Sequence, residues 1–154
     1  MDPVFITKEY IDQNIRPFSP TDQLFTATKN EVLALDMNDL DATILSKLKT
    51  DNIEDIDADI LDALRKITGY FVYSRALRTA QVTVTKYGAT VKTAQDSYSA
   101  ENEKIVSDST YYKNTAEVLM KQLFVDHPEL KMDCSCGSKG NIRDQYLKCV
   151  VIGD

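Results

Sequence analysis

The sequence predicts a mainly α protein: a four-to-five-helix bundle with one β-hairpin and an extended C-terminal arm. Three observations carry this. Apolar residues recur at helical spacing through most of residues 1–127. Residues 81–94 alternate with period two instead. Residues 128–154 change in kind, opening with a Cys, Ser and Gly cluster and closing on a short apolar stretch. The expected division is therefore a helical domain over 1–127, with the hairpin at 81–94, and an arm over 128–154.

The first helix is expected after Val4, Phe5 and Ile6, with Thr7 as N-cap and Tyr10, Ile11 and Ile15 as apolar positions; Pro17 ends it. Ser19-Pro20 is expected to open a second helix, Ser as cap and Pro at the first helical position, with Leu24, Thr28, Val32 and Leu35 on one face. Asn38 is expected to cap a third, carrying Leu40, Ile44, Leu45 and Leu48. Residues 50–56 read as a polar, acidic connection.

The central element starts at Asp57, a good N-cap, with Asp59 and Asp62 placing negative charge where the helix dipole favours it. Ile60, Leu64, Ile67, Phe71 and Ser74 share a face, and Leu61, Tyr70, Tyr73 and Leu77 widen it beyond one stripe. A helix apolar over so much of its circumference sits in the middle of a bundle. It runs into the expected hairpin. With Tyr87-Gly88 as a two-residue loop, Val82 faces Thr93 and Val84 faces Val91 on one side of the ribbon, while Thr and Lys pair on the other. Tyr at the first loop position fits a primed turn poorly, so the turn type stays open. Ser99 is expected to cap a last long helix, with Ile105, Tyr112, Ala116, Leu119 and Leu123 as its seam, Tyr111, Val118 and Met120 beside it, and His127-Pro128 as its stop.

Composition narrows the class. The chain has 154 residues, is 43% apolar and carries a net charge of −6. Residues 1–62 hold 14 acids against 5 bases, and residues 63–154 hold 10 against 13. Binding in a duplex groove rests on basic patches, so this balance disfavours it. The acidic half reads either as a solvated face or as a complement to a partner or a neighbouring subunit. No apolar run reaches the length of a membrane span, and the N-terminus lacks a signal-peptide core. Three cysteines, odd in number and clustered, make no disulfide framework, which points to a reducing, intracellular origin.

The residues offer little chemistry. Asp55, Asp57 and Asp59 alternate like the start of a calcium loop, but Ile60 stands where that loop needs Gly and Lys66 where it needs Glu. Helix capping explains these acids. Cys134, Cys136, Cys149 and His127 match the spacing of a zinc site poorly. No phosphate loop, nucleophile elbow or histidine–carboxylate pair is visible. The expectation is a protein without catalytic residues, metal or cofactor.

Read in order, the Phe5-Ile6-Thr7 entry, the helices, the segment TVTKYGATVKTA and the ending YYKNTAEVLMKQLF resemble the head–tail connector (adaptor) proteins of tailed bacteriophages, closest in texture to those of crAss-like phages. The resemblance spans residues 4–126 and is one of element order. It implies a structural virion protein of the neck, made in the host cytoplasm, whose subunits form a homo-oligomeric, dodecameric ring beneath the portal. Such a ring joins capsid to tail and lines a channel through which double-stranded DNA passes without sequence-specific binding. Its partners are further copies of itself, the portal and other neck or tail rings; no membrane is involved. On this reading Val82, Val84 and Val91 pack the hairpin on a neighbouring subunit. Tyr146, Leu147, Val150, Val151 and Ile152, after the flexible Gly137 and Gly140, dock the arm on the portal. The Cys-x-Cys segment is no part of the family pattern. Two alternatives remain: another neck or tail-completion protein of the virion, and a cellular helical adaptor or regulatory protein that uses a tyrosine-rich surface.

Overall fold

The computed structural model describes residues 4–18, 20–86 and 95–132, with the backbone alone for 80–86 and 95–102. The described chain is helical: α1 Lys8–Asn14, α2 Asp22–Glu31, a π-helical turn Val32–Asp36, α3 Ala42–Lys49, α4 Ala58–Lys86, α5 Gln95–Asp126 and a 3-10 turn Pro128–Leu130. Among the described residues there is no sheet; one isolated antiparallel bridge joins Leu40 to Lys131. The mainly α class is as the sequence predicts.

The central position of α4 is also as expected. Leu64, Ile67, Phe71, Val72 and Ala76 are buried, and Asp57 caps the helix by accepting from the Asp59 N–H at 3.2 Å. At 1.5 Å per residue its 29 residues span about 43 Å. α5 lies against it antiparallel: Tyr70 stacks on Tyr112, and Ser74 meets Ser109, so partner numbers fall along α5 as they rise along α4. α1, α2 and the π-helical turn pack on the other sides of α4. Phe5, Ile6, Ile11, Val32, Leu33, Met37, Leu40 and Leu48 complete the core.

The hairpin is where expectation and structure part. Gln81 to Lys86, the intended first strand, continue α4. Val82 and Val84 therefore sit on the last helical turns, and the register that placed them opposite Thr93 and Val91 does not form. Val91 lies outside the described residues. The physical reason is context: β-branched residues lose only a fraction of a kcal/mol each in a helix, less than the cost of ending a helix already propagating along a neighbour. Period-two alternation over so few residues does not outweigh that.

Three expected caps also move. α2 starts at Asp22, capped by Thr21, whose Oγ1 accepts from the Leu24 N–H at 3.2 Å; Ser19 lies outside the described residues and Pro20 precedes the helix. α3 is capped by Asp41, which accepts from Thr43 N–H and Ile44 N–H. Asn38 is exposed in the preceding turn, and Leu40 belongs to the bridge. α5 starts four residues ahead of Ser99. For α2 and α3 another Thr or Asp met the helix's orphan donors first.

The connection 50–56 holds more than polarity: Ile53 and Ile56 are buried in the core. Asp51 sits in the left-handed region at φ 54°, where α3 turns away, and its Oδ1 accepts from the Phe5 N–H at 2.9 Å and from Lys29 at 3.4 Å. The Arg65 guanidinium donates to the Phe5 carbonyl at 2.7 Å. Both polar groups of Phe5 are thus satisfied while its ring is fully buried. Gly69 lets the N-terminal segment lie close on α4: a Cβ there would press on Ile15 Cδ1, the end of a side chain that would have to shift, while Ile11 and Ile6 stand at ordinary contact distance.

Pro128 turns the chain without releasing it from the domain. Asp41 N–H donates to the Leu130 carbonyl and Met132 N–H to the Asp39 carbonyl, each at 2.8 Å, and Leu130 is 5% exposed. The chain follows the domain as far as Met132.

Candidate functional site

The surface feature with most chemistry is a cleft of about 190 Å³ between α4, α5 and the π-helical turn, lined by Glu31, Asp36, Phe71, Ser74, Arg75, Arg78, Thr79 and Lys113. The turn positions its acidic end. An extra residue per turn closes a Met37 N–H to Val32 carbonyl bond at 3.1 Å, and Val32, Leu33 and Met37 are all buried. Asp36 is left facing Arg75, which grips it with both ends of its fork: Nε donates to Oδ2, and Nη2 donates to Oδ1 at 3.1 Å. Glu31 approaches Arg75 Nη1 at 3.4 Å. The hydrogen bond to Asp36 raises the Arg75 pKa above its ordinary value against the opposing effect of partial burial, so this guanidinium stays charged throughout.

The basic end is built on two buried serines. Ser74 Oγ donates to the Ser109 carbonyl at 2.7 Å, Ser109 Oγ donates to the Ser74 carbonyl at 3.0 Å, and the hydroxyls lie 3.1 Å apart. Small side chains let the two helices close to this distance. Ser109 Oγ also accepts from Arg78 Nε at 2.7 Å, and Thr110 Oγ1 lies 3.5 Å from Arg78 Nη2. Lys113, one turn further along α5, reaches Glu117 at 3.7 Å. The cleft is thus polarised, with carboxylates already clamped at one end and cations at the other.

A second feature is the outer face of α5. Tyr111, Val118 and Val125 are 65%, 63% and 73% exposed and recur every seven residues. At 100° per residue they lie roughly 160° around the helix from the buried seam of Ser109, Tyr112, Ala116 and Leu123. Tyr112 itself is inside. Its hydroxyl accepts from Arg16 Nε at 2.8 Å, and its ring meets Tyr73 edge-on at 4.8 Å.

Of the residues singled out from the sequence, the structure brings none of the proposed contact set together. Val82 and Val84 are helical, and Val91, Tyr146, Leu147, Val150, Val151 and Ile152 lie outside the described residues, as do Cys134, Cys136 and Cys149. His127 Nδ1 lies 3.2 Å from Glu129. Asp55, Asp57 and Asp59 are exposed, and among the described residues no group of three or more His, Cys, Asp or Glu is placed to hold a metal ion. Also among the described residues, no helix is long and apolar enough to cross a membrane. Sequence reasoning missed the cleft, although two signals for it exist. Ser109 is a polar residue on an otherwise apolar seam, and Asp36 interrupts an apolar run.

No curated protein and no solved structure matches the chain. One family does, DUF6712, described as a family of unknown function, and its match covers residues 22–124, from α2 almost to the end of α5. With well over half of its length in that match, the chain belongs to the DUF6712 family.

Proposed function

We propose that this protein is a structural, non-enzymatic virion protein: a head–tail connector subunit of the phage neck that forms a homo-oligomeric ring beneath the portal. The ring joins capsid to tail and surrounds the passing duplex. The observation that carries the reading is the solvent side of α5. One side of the helix is buried on α4; on the other Tyr111, Val118 and Val125 stand exposed at seven-residue spacing, with the exposed Asn114, Lys121 and Gln122 between them. Large apolar side chains set in a row among polar ones suit packing against another chain. The subunit contact therefore belongs on this face instead of on the hairpin valines. The net charge of −6 suits a channel wall that repels phosphate and lets DNA slide. Tyr146, Leu147, Val150, Val151 and Ile152 remain the element proposed to dock on the portal.

The test is native mass measurement of the full chain, alone and with portal, for wild type and for Val118→Asp combined with Val125→Asp. Both positions are exposed, so the variant keeps its helicity and melting temperature but loses the ring. A wild-type chain that stays monomeric beside portal, or a variant that assembles normally, overturns the proposal.

A further inference from the structure

We infer that the cleft between α4 and α5 is a binding site for a phosphate-class oxyanion, held by Arg78 and Lys113. Three features lead there. First, Arg78 is oriented without being neutralised. Its Nε is fixed by Ser109, which is itself fully buried and locked to Ser74, and among the described residues its acceptors are neutral hydroxyls. A guanidinium held by one edge presents its remaining N–H groups as a ready fork, the geometry that oxyanions take in two parallel hydrogen bonds. Second, the charge of the cleft is divided. Arg75 occupies Asp36 and Glu31, so the acids turn toward it, and Arg78 and Lys113 face the open volume with two positive charges. Lys113 is only loosely engaged by Glu117 at 3.7 Å, and lysine serves oxyanions as a mobile point charge. Third, the space fits. A cleft of about 190 Å³ holds about six waters' worth of liquid, more than one tetrahedral oxyanion needs.

Two cations suit a dianion better than a monoanion. The ligand is therefore a free phosphate or phosphate monoester in preference to the diester of a nucleic-acid backbone. The inference does not rest on the ring reading: a monomer would bind equally.

The experiment is a titration of isotopically labelled full-length protein with inorganic phosphate, following the backbone amides of Ser74, Arg78, Ser109 and Lys113, with sodium chloride at matched ionic strength as control. Dimethyl phosphate, a diester, forms a second arm. Saturable shifts confined to these residues are expected with phosphate and absent with chloride. Arg78→Gln is expected to weaken binding about tenfold or more and Lys113→Gln less, with Arg78→Lys between the two because it keeps the charge and loses the fork. Both sites are exposed, and unchanged circular dichroism will show that the variants fold. Diester binding as tight as phosphate would keep the site and assign it to a nucleic-acid backbone. No shift beyond the chloride control at about 10 mM phosphate, where screening alone already acts, or equal binding by Arg78→Gln, overturns the inference.

Discussion

Replacing Ser109 by Ala tests how α4 and α5 are held together. Ser109 is fully buried and makes three contacts: it donates to the Ser74 carbonyl, accepts from Arg78, and lies 3.1 Å from the Ser74 hydroxyl. Ser74 makes two, to the Ser109 carbonyl and hydroxyl. A neutral buried hydrogen bond contributes about 1 kcal/mol net and one to a charged donor about 1.5 kcal/mol or more, the low end being right for the exposed Arg78. Ser109→Ala should therefore cost about 2.5 kcal/mol and Ser74→Ala about 1 kcal/mol. At about 2–4 °C per kcal/mol for a chain of this size, the first lowers Tm by about 5–10 °C and the second by about 2–4 °C. Each hydroxyl has one proton and gives it to the other residue's carbonyl, so the 3.1 Å hydroxyl approach is no further bond and the double variant should cost about the sum, about 3.5 kcal/mol. Urea unfolding of the four proteins measures this, with the exposed Ser107→Ala as a control expected within about 0.5 kcal/mol of wild type. A double variant far from the sum, or a Ser109→Ala variant no weaker than Ser74→Ala, would refute the reasoning.

Three further outcomes are expected. Asp51→Ala loses the acceptor for Phe5 N–H and the Lys29 contact, and places Ala at φ 54°; it should cost about 2 kcal/mol, while Asp51→Asn, which tolerates that backbone and keeps an acceptor, costs about half, as read by thermal melting. A chain ending at Met132 should melt like the full protein, whereas one ending at His127 loses buried Leu130 and two backbone bonds and is weaker by about 3 kcal/mol; equal melting of the two would mean that residues 128–132 do not stabilise the domain. Burial raises the pKa of Tyr73, helped by Tyr112, and that of Tyr10, helped by Asp62. A raised pKa means stability that is whole below the ordinary tyrosine value of 10.0 and lost as pH climbs through the folded-state value. Unfolding free energy should therefore be insensitive to these groups between about pH 7 and 9 and fall above about pH 10, and Tyr73→Phe should lessen that alkaline fall with little effect at neutral pH; an unchanged alkaline limb would contradict it.

What the sequence determined is what local chemistry and periodicity encode. The buried face of α4 from Leu64 through Ser74 was legible, as were the Asp57 and Thr7 caps, the stop at His127-Pro128, and Tyr112, Ala116 and Leu123 on the seam of α5. Each follows from a spacing or a cap that acts within a few residues. The tertiary structure decided the rest, because it depends on what lies opposite. Residues 81–86 carry a strand-like alternation, yet they extend α4, since a helix already under way is cheaper to continue than to end. Tyr111 and Val118 look as apolar as Tyr112 and Leu119, and only the position of α4 turns the first pair outward. The cleft joins Glu31 and Asp36 to Arg75, Arg78, Ser109 and Lys113 across long stretches of chain. No window of sequence contains that set. It exists because two small buried serines let α4 and α5 approach and a π-helical turn aims one carboxylate at one arginine.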